Sequence, residues 1–468
     1  MSWKQLFVRY GWLVEEVAPN IFSTEQELMD NVLFLMQSLD TVNAVYELRN
    51  NRLILKSAAP SERMWRSAVQ FKERGATGQM GLENVQLTQL DVYIAGVVRQ
   101  LNRLGFQTTR SCDGHERAHP HVVIARGEGD YALLVRLLEA LQLEERIIRR
   151  RERHYVVTFP MKREGLLDLT ERLHQIDRSW LMEPADFIEK QLFLHQLEGL
   201  LSIPGDSGNE ARIREAVAKQ LAPLVDKIAV DRFGNLFAEK TYRTGTGPTI
   251  LLNAHLDTAF EIVHGRRILK DGEIWSSSED ILGADDRAGV AVLLELARRL
   301  PSTNFSGKVK FIFTVEEEVG LVGASQVDEY FLWDVEAAIV VDRRGTGDIV
   351  TSCGNYLPFC QKAYGQFFEY VARKYNMDGW KCTAGGSSDT RIWASHGIES
   401  VNLSVGYQRE HTDQESVDVA ATYRTFQLLM AVFEEHWTLR KALKRMKRER
   451  SAVSGGKEID RRIDSMTR

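Results

Sequence analysis

The chain has 468 residues, 44% of them hydrophobic and 27% charged, with a formal net charge of -5. That balance fits two or three globular domains and excludes a disordered chain or a general polyanion binder, so no nucleic-acid partner is expected. No apolar run approaches the ~18 residues of a membrane span. The N-terminus is interrupted by Lys4, Arg9, Glu15 and Glu16, unlike a secretory signal, and Cys112, Cys353, Cys360 and Cys382 form no CxxC pair, so a reduced, cytoplasmic protein without a membrane partner is expected.

In chain order, residues 1–185 read as a smaller α/β or α+β domain of unassigned role. Leu90–Leu104, Tyr131–Leu143 and Leu166–Ile176 have helical apolar spacing, and His121–Ala125 and His154–Pro160 alternate like strands. Arg146, Arg149, Arg150, Arg151 and Arg153 read as a solvated basic face. The segment SCDGHERAHPHVV offers Cys112, His115, His119 and His121, which are metal-ligand types, but their spacing fits no standard zinc motif.

From 186 to 437 strand and helix alternate, the pattern of a mostly parallel central sheet flanked by helices. Helices are expected at Lys190–Leu201, Glu210–Leu224 (with Asn209 as N-cap), Ala288–Leu300, Phe367–Tyr375 and Thr422–Trp437. The strongest strands are Thr249–Asn253, Val309–Val315, Ala337–Val341 and Val401–Val405. Residues 438–468 form a basic tail, expected to be helical to about Arg450 and disordered beyond.

Each strong strand runs into a metal-ligand type: His255 and Asp257, then Glu316, Glu317 and Glu318, then Asp342, then His411. Asp285 and Asp286 stand just before a helix. In open α/β sheets, ligands bind beyond the carboxyl ends of strands, so these side chains can converge. Singly, each has a dull explanation, such as a helix cap, an acidic turn or a loop histidine; jointly they fall at one end of successive strands. Three carboxylates and two imidazoles suit two divalent cations. The mixed donors favour zinc, with cobalt or manganese as substitutes.

The motifs HLD, GADDRAG, EEVG, the strand-end Asp and the late His resemble the co-catalytic zinc exopeptidase clan over roughly residues 190–437. That clan includes peptidase T-like tripeptidases, glutamyl-aminopeptidase-like enzymes and lidless bacterial aminopeptidases. The resemblance implies that His255, Asp285, Glu318, Asp342 and His411 bind metal, with Asp285 bridging. It implies Asp257 as the carboxylate behind His255 and Glu317 as general base, leaving Glu316 an extra acid. Asp286 would support the bridging residue through a cis peptide. The GGSSD segment, with Gly385, Gly386 and Asp389, resembles a glycine-rich motif that approaches the site closely. Trp380 and Trp393 nearby read as core residues or pocket walls.

Asp257 and Asp285 lie 28 positions apart, and Asp342 and His411 lie 69 apart. Neither gap holds a further domain, so no lid insertion is expected. A lidless site favours recognition of a free amino terminus, hence an aminopeptidase acting on short peptides. A hydrolase of N-acyl amino acids or other amides is the first alternative, and a non-catalytic peptidase-like scaffold the second. The resemblance leaves assembly open between a monomer and a homo-oligomer.

Overall fold

The computed structural model describes residues 1–71, 74, 85–115, 118–127 and 129–450. It divides into two compact units, Met1–Leu192 and Phe193–Arg468.

The first unit holds two four-stranded antiparallel sheets with helices, an α+β arrangement. One sheet is ordered Glu15–Ala18, Ile21–Ser23, Arg52–Leu55, Tyr46–Arg49. The other is ordered Thr108–Cys112, His121–Ala125, His154–Thr158, Ile148–Arg150. Its core includes Trp3, Phe7, Trp12, Phe22 and Trp65. The helix expected over Leu90–Leu104 covers only Ala95–Arg103, after a 3-10 turn at Leu87–Gln89. Leu90 and Val92 are buried without being helical, so their apolar spacing reported burial rather than helix. Arg149, Arg150, Arg151 and Arg153 are exposed, with Arg150 stacked over the Tyr131 ring.

The second unit is built on a nine-stranded sheet. Its strands are β1 (Lys227–Val230), β2 (Leu236–Tyr242), β3 (Thr249–His255), β4 (Gly307–Thr314), β5 (Ala337–Arg343), β6 (Asp348–Cys353), β7 (Leu357–Pro358), β8 (Lys381–Gly385) and β9 (Glu399–Ser404). The order is β7-β6-β9-β5-β3-β4-β2-β1, with β8 also pairing with β6. The centre, β4-β3-β5-β9, is parallel; β1, β2, β6 and β7 add antiparallel edges. Every residue of β3 is buried, as its run TILLNAH requires of a parallel strand covered on both faces.

The helices are α1 (Ala211–Leu221), α2 (Ala284–Arg299), α3 (Lys362–Lys374), α4 (Asp389–Ser395) and α5 (Val419–Glu434). Helix α2 is buried from Ala284 to Ala297 because it lies against β3 and β5 on one side and α5 on the other. Gly289 permits that approach: a Cβ there would stand 2.0 Å from the Val341 carbonyl oxygen. Asn209 does not cap α1. Its amide donates to Asp206 and Glu210 occupies the N-cap position, because the preceding turn engages Asn209 first. Residues 436–450 are helical and bury Leu439, Leu443 and Met446 in this unit's core. The disorder expected beyond Arg450 lies outside the described residues.

Between Asp257 and Asp285 the chain forms only the hairpin Ile268–Asp271 and Ile274–Ser277. Between Asp342 and His411 it forms β6 to β9 with α3 and α4, all part of the sheet unit. No lid is inserted in either stretch.

Candidate metal centre

Strand order reverses about β3, with β4 on one side and β5 on the other, and a crevice opens beyond their carboxyl ends. His255 is the last residue of β3 and is 2% exposed. Its Nδ1 faces the Asp257 carboxylate at 3.3 Å, and its Nε2 faces Asp285 Oδ1 at 3.0 Å and Asp342 Oδ1 at 3.6 Å. Across the crevice, His411 Nε2 stands 2.8 Å from Glu318 and 3.5 Å from Asp285 Oδ2. The two oxygens of Asp285 thus face two different histidines, the placement a bridging carboxylate needs. His255 thus faces Asp285 and Asp342, and His411 faces Asp285 and Glu318.

Asp286 also lies near His255 and Asp342, but both its oxygens are engaged by backbone. Oδ2 accepts the His255 N–H at 3.2 Å and Oδ1 accepts the Gly289 N–H at 3.0 Å. It ties the end of β3 to the start of α2. The Asp285–Asp286 peptide is cis, and both residues depart from helical angles.

Asp257 organises the opposite wall. Its carboxylate accepts the N–H groups of Glu317 and Glu318, each at 3.0 Å, and the Ser207 hydroxyl at 2.8 Å. Burial works to raise the Asp257 pKa, but His255 and those N–H donors hold it at about 2. Glu316 adopts a left-handed φ of 51° and donates its N–H to Glu210, which sets the turn carrying Glu317 and Glu318.

The charge balance fits cations. Burial, reinforced by neighbouring carboxylates, pushes Glu317 up to about 10, Asp342 to about 7 and Asp389 to about 6. Hydrogen bonds to Asp285 and Glu318 raise His411 to about 10. A crevice crowded with carboxylates therefore recruits protons when it lacks metal. Divalent cations would displace those protons, and the donor set of carboxylate oxygens and imidazole nitrogens matches them.

Several contributors were invisible as motifs. Glu415 accepts the N–H groups of Gly283 and Ala284 at 2.7 Å and of Asp285 at 3.1 Å, clamping the turn that presents the bridging residue. Tyr407 donates its hydroxyl to Asp342 at 3.0 Å, and Asn402 holds the Asp342 backbone through both its amide atoms. Fully buried Arg287 donates to the Leu256 and Ile203 carbonyls beneath the site. The only signal for Glu415 was its place four residues after His411, which is meaningless until the chain folds back on Gly283.

The GGSSD segment divides. Asp389 is buried and accepts the Thr314 hydroxyl, linking α4 to the end of β4. A Cβ at Gly385 would stand 2.6 Å from Val350 Cγ1, whereas one at Gly386 meets nothing within 4 Å. Close approach therefore belongs to Gly385, and that reason for including Gly386 falls away because its surroundings are open. Trp393 is fully buried and donates Nε1–H to Asn253, and Trp380 is also buried, so both are core residues.

Residues 281–428 match the family model described as M42 glutamyl aminopeptidase. With the sheet and its donor set, this match likens the second unit to metallo-aminopeptidases. More particularly, a putative aminopeptidase of Acetivibrio thermocellus is 24% identical over 333 residues, covering 52% of this chain and 99% of the relative. An uncharacterized Bacillus subtilis protein is 24% identical over 368 residues, covering 53% and 98%. The crystal structure of aminopeptidase PepT from Bacillus cereus superposes with a TM-score of 0.47 at 20% identity, covering 53% of this chain and 98% of that one. Among the described residues, no helix is long and apolar enough to cross a membrane.

Proposed function

We propose that the second unit removes amino-terminal residues from short peptides, using two divalent metals, zinc by preference. His255, Asp285 and Asp342 hold one metal, and Asp285, Glu318 and His411 the other. The observation that carries this reading is Asp285, whose Oδ1 is 3.0 Å from His255 and whose Oδ2 is 3.5 Å from His411. Bound there, the cations supply Lewis acidity toward the scissile carbonyl and lower the pKa of water toward neutrality.

The chain's own groups do the rest. Glu317 is the general base. Its N–H is held by Asp257 on the turn after β4, and its carboxyl lies within electrostatic reach of His255, Asp342 and Glu318. With the cations bound, its carboxylate would take the proton of the attacking water and return it to the leaving amine. Asp257 fixes the imidazole of His255 from behind, and Tyr407 and Asn402 fix Asp342. Asp286 and Asp389 support this frame. No inserted lid provides a cation for a substrate carboxylate, which favours recognition of the free amine.

Glu317→Gln tests the base: the variant keeps its metal content and loses about 100- to 10,000-fold in kcat. Activity within threefold of the parent would remove Glu317 from the role. A panel of aminoacyl-anilides against N-acyl amino acids tests the substrate class. Preference for the N-acyl set would replace the aminopeptidase reading with an amidohydrolase one, and a metal-loaded chain inert to both would favour a binding scaffold.

A further inference from the structure

The first unit gathers a second donor set that the peptidase reading does not use. Asp91, Cys112, Asp113 and His115 each offer one ligand atom, and these atoms all lie within 4.8 Å of one another. His115 Nε2 stands 3.6 Å from Asp91 Oδ2, and its Nδ1 stands 3.4 Å from Asp113 Oδ1. We propose that these four residues form a structural zinc site.

Local backbone explains the convergence. Strand Thr108–Cys112 ends in a tight loop where Gly114 and His115 both take left-handed φ values, 83° and 45°. A Cβ at Gly114 would meet the Ala118 carbonyl oxygen at 2.0 Å, so only glycine allows the loop to close. The loop turns the imidazole of His115 back over Asp113. Its own N–H groups settle the anionic donors: Gly114 N–H points at Cys112 Sγ at 3.3 Å, and His115 N–H at Asp113 Oδ1 at 2.9 Å. Asp113 N–H in turn donates to Asp91 Oδ2 at 3.2 Å, which brings in a residue from the chain entering helix Ala95–Arg103.

Charge points the same way. The Asp113 side chain is 4% exposed and that of Asp91 12%. Two carboxylates and a thiol meet there, with His115 within ion-pair distance of both acids and the buried Arg74 guanidinium acting on Asp91 from farther off. A divalent cation would offset two of the three negative charges present once the Cys112 thiol proton is released to solvent on binding. Sulfur and imidazole donors exclude magnesium and calcium and favour zinc. Four protein donors close the coordination shell, which makes the site structural rather than hydrolytic. The metal would staple the end of strand Thr108–Cys112 to the segment before helix Ala95–Arg103. His119 and His121, equally eligible by sequence, lie outside this donor set.

The test uses the full chain loaded with cobalt(II). The peptidase ligands are nitrogen and oxygen only, so a near-ultraviolet sulfur-to-cobalt charge-transfer band reports this site alone. The band is expected in the parent and in His255→Ala and His119→Ala, and it is expected to vanish in Cys112→Ser. Zinc content falls by about one equivalent per chain in the Cys112→Ser, His115→Ala double variant, as loss of one four-donor site requires. Absence of the band in the parent, its survival in Cys112→Ser, or its loss in His119→Ala would overturn the assignment. Because the parent spectrum decides independently of any variant, a variant that fails to fold leaves the proposal testable. Failure here also leaves the peptidase reading untouched.

Discussion

Replacing Asp257 with Asn tests how the peptidase centre is held together. The carboxylate accepts from Glu317 N–H, Glu318 N–H and the Ser207 hydroxyl, and faces His255 Nδ1. Asparagine keeps one acceptor oxygen, so its amide nitrogen must confront at least one backbone N–H. Each hydrogen bond to a charged group contributes about 1.5–3 kcal/mol. Loss of one such bond, with the anion behind His255 neutralised, gives about 3 kcal/mol in transition-state stabilisation, or roughly 100-fold in kcat/KM. The imidazole also loses its orienting charge, so metal affinity should fall about 10- to 100-fold. The assay is kcat/KM at saturating metal together with a metal titration. Ser207→Ala, which removes a single hydroxyl donor, should do much less. An Asp257→Asn variant with parental metal affinity and kcat/KM within threefold would refute the claim that this carboxylate organises both His255 and the Glu317–Glu318 turn.

Glu415→Ala should strand the N–H groups of Gly283, Ala284 and Asp285, loosen the bridging turn and weaken metal binding. Glu415→Gln should do less, since its one carbonyl oxygen can still accept from part of the turn, and equal behaviour of the two variants in a metal titration would refute a clamp. Gly289→Ala should destabilise the second unit by about 1–3 kcal/mol, because its Cβ would overlap the Val341 carbonyl between α2 and β5; denaturant unfolding measures it. In the first unit, burial, with Arg103 and Lys4 adding, depresses His174 to about 4. The unfolded chain then binds a proton that the native one refuses, so stability is complete above pH ~6.5 and falls as pH drops toward ~4, by about 3 kcal/mol. Unfolding curves across that window should flatten in His174→Gln, and an unchanged slope would count against a buried neutral imidazole.

The parallel centre was legible because its strands are continuous apolar runs covered on both faces, and a run such as TILLNAH has few other ways to be buried. The ligand types at the ends of β3, β4 and β5 were legible for the same reason, since the end of a buried strand fixes where its next side chains emerge. The first unit was less readable. Its sheet of strands between Glu15 and Leu55 uses three- and four-residue segments with partial burial, too short for periodicity to stand out. Sequence also put the close-approach glycine at Gly386 as readily as at Gly385, since only the position of Val350 separates them.

What sequence alone determined was the alternation of buried strands and helices and the kinds of donor waiting at their ends, because both follow from local pattern. Tertiary structure decided which oxygen of Asp285 faces which histidine, and that Asp286 spends both oxygens on backbone. It also decided that Glu415 clamps Gly283 and that Asp91 rather than His119 joins Cys112. These are contacts between residues distant in the chain, set by strand order and packing, and no local pattern encodes them.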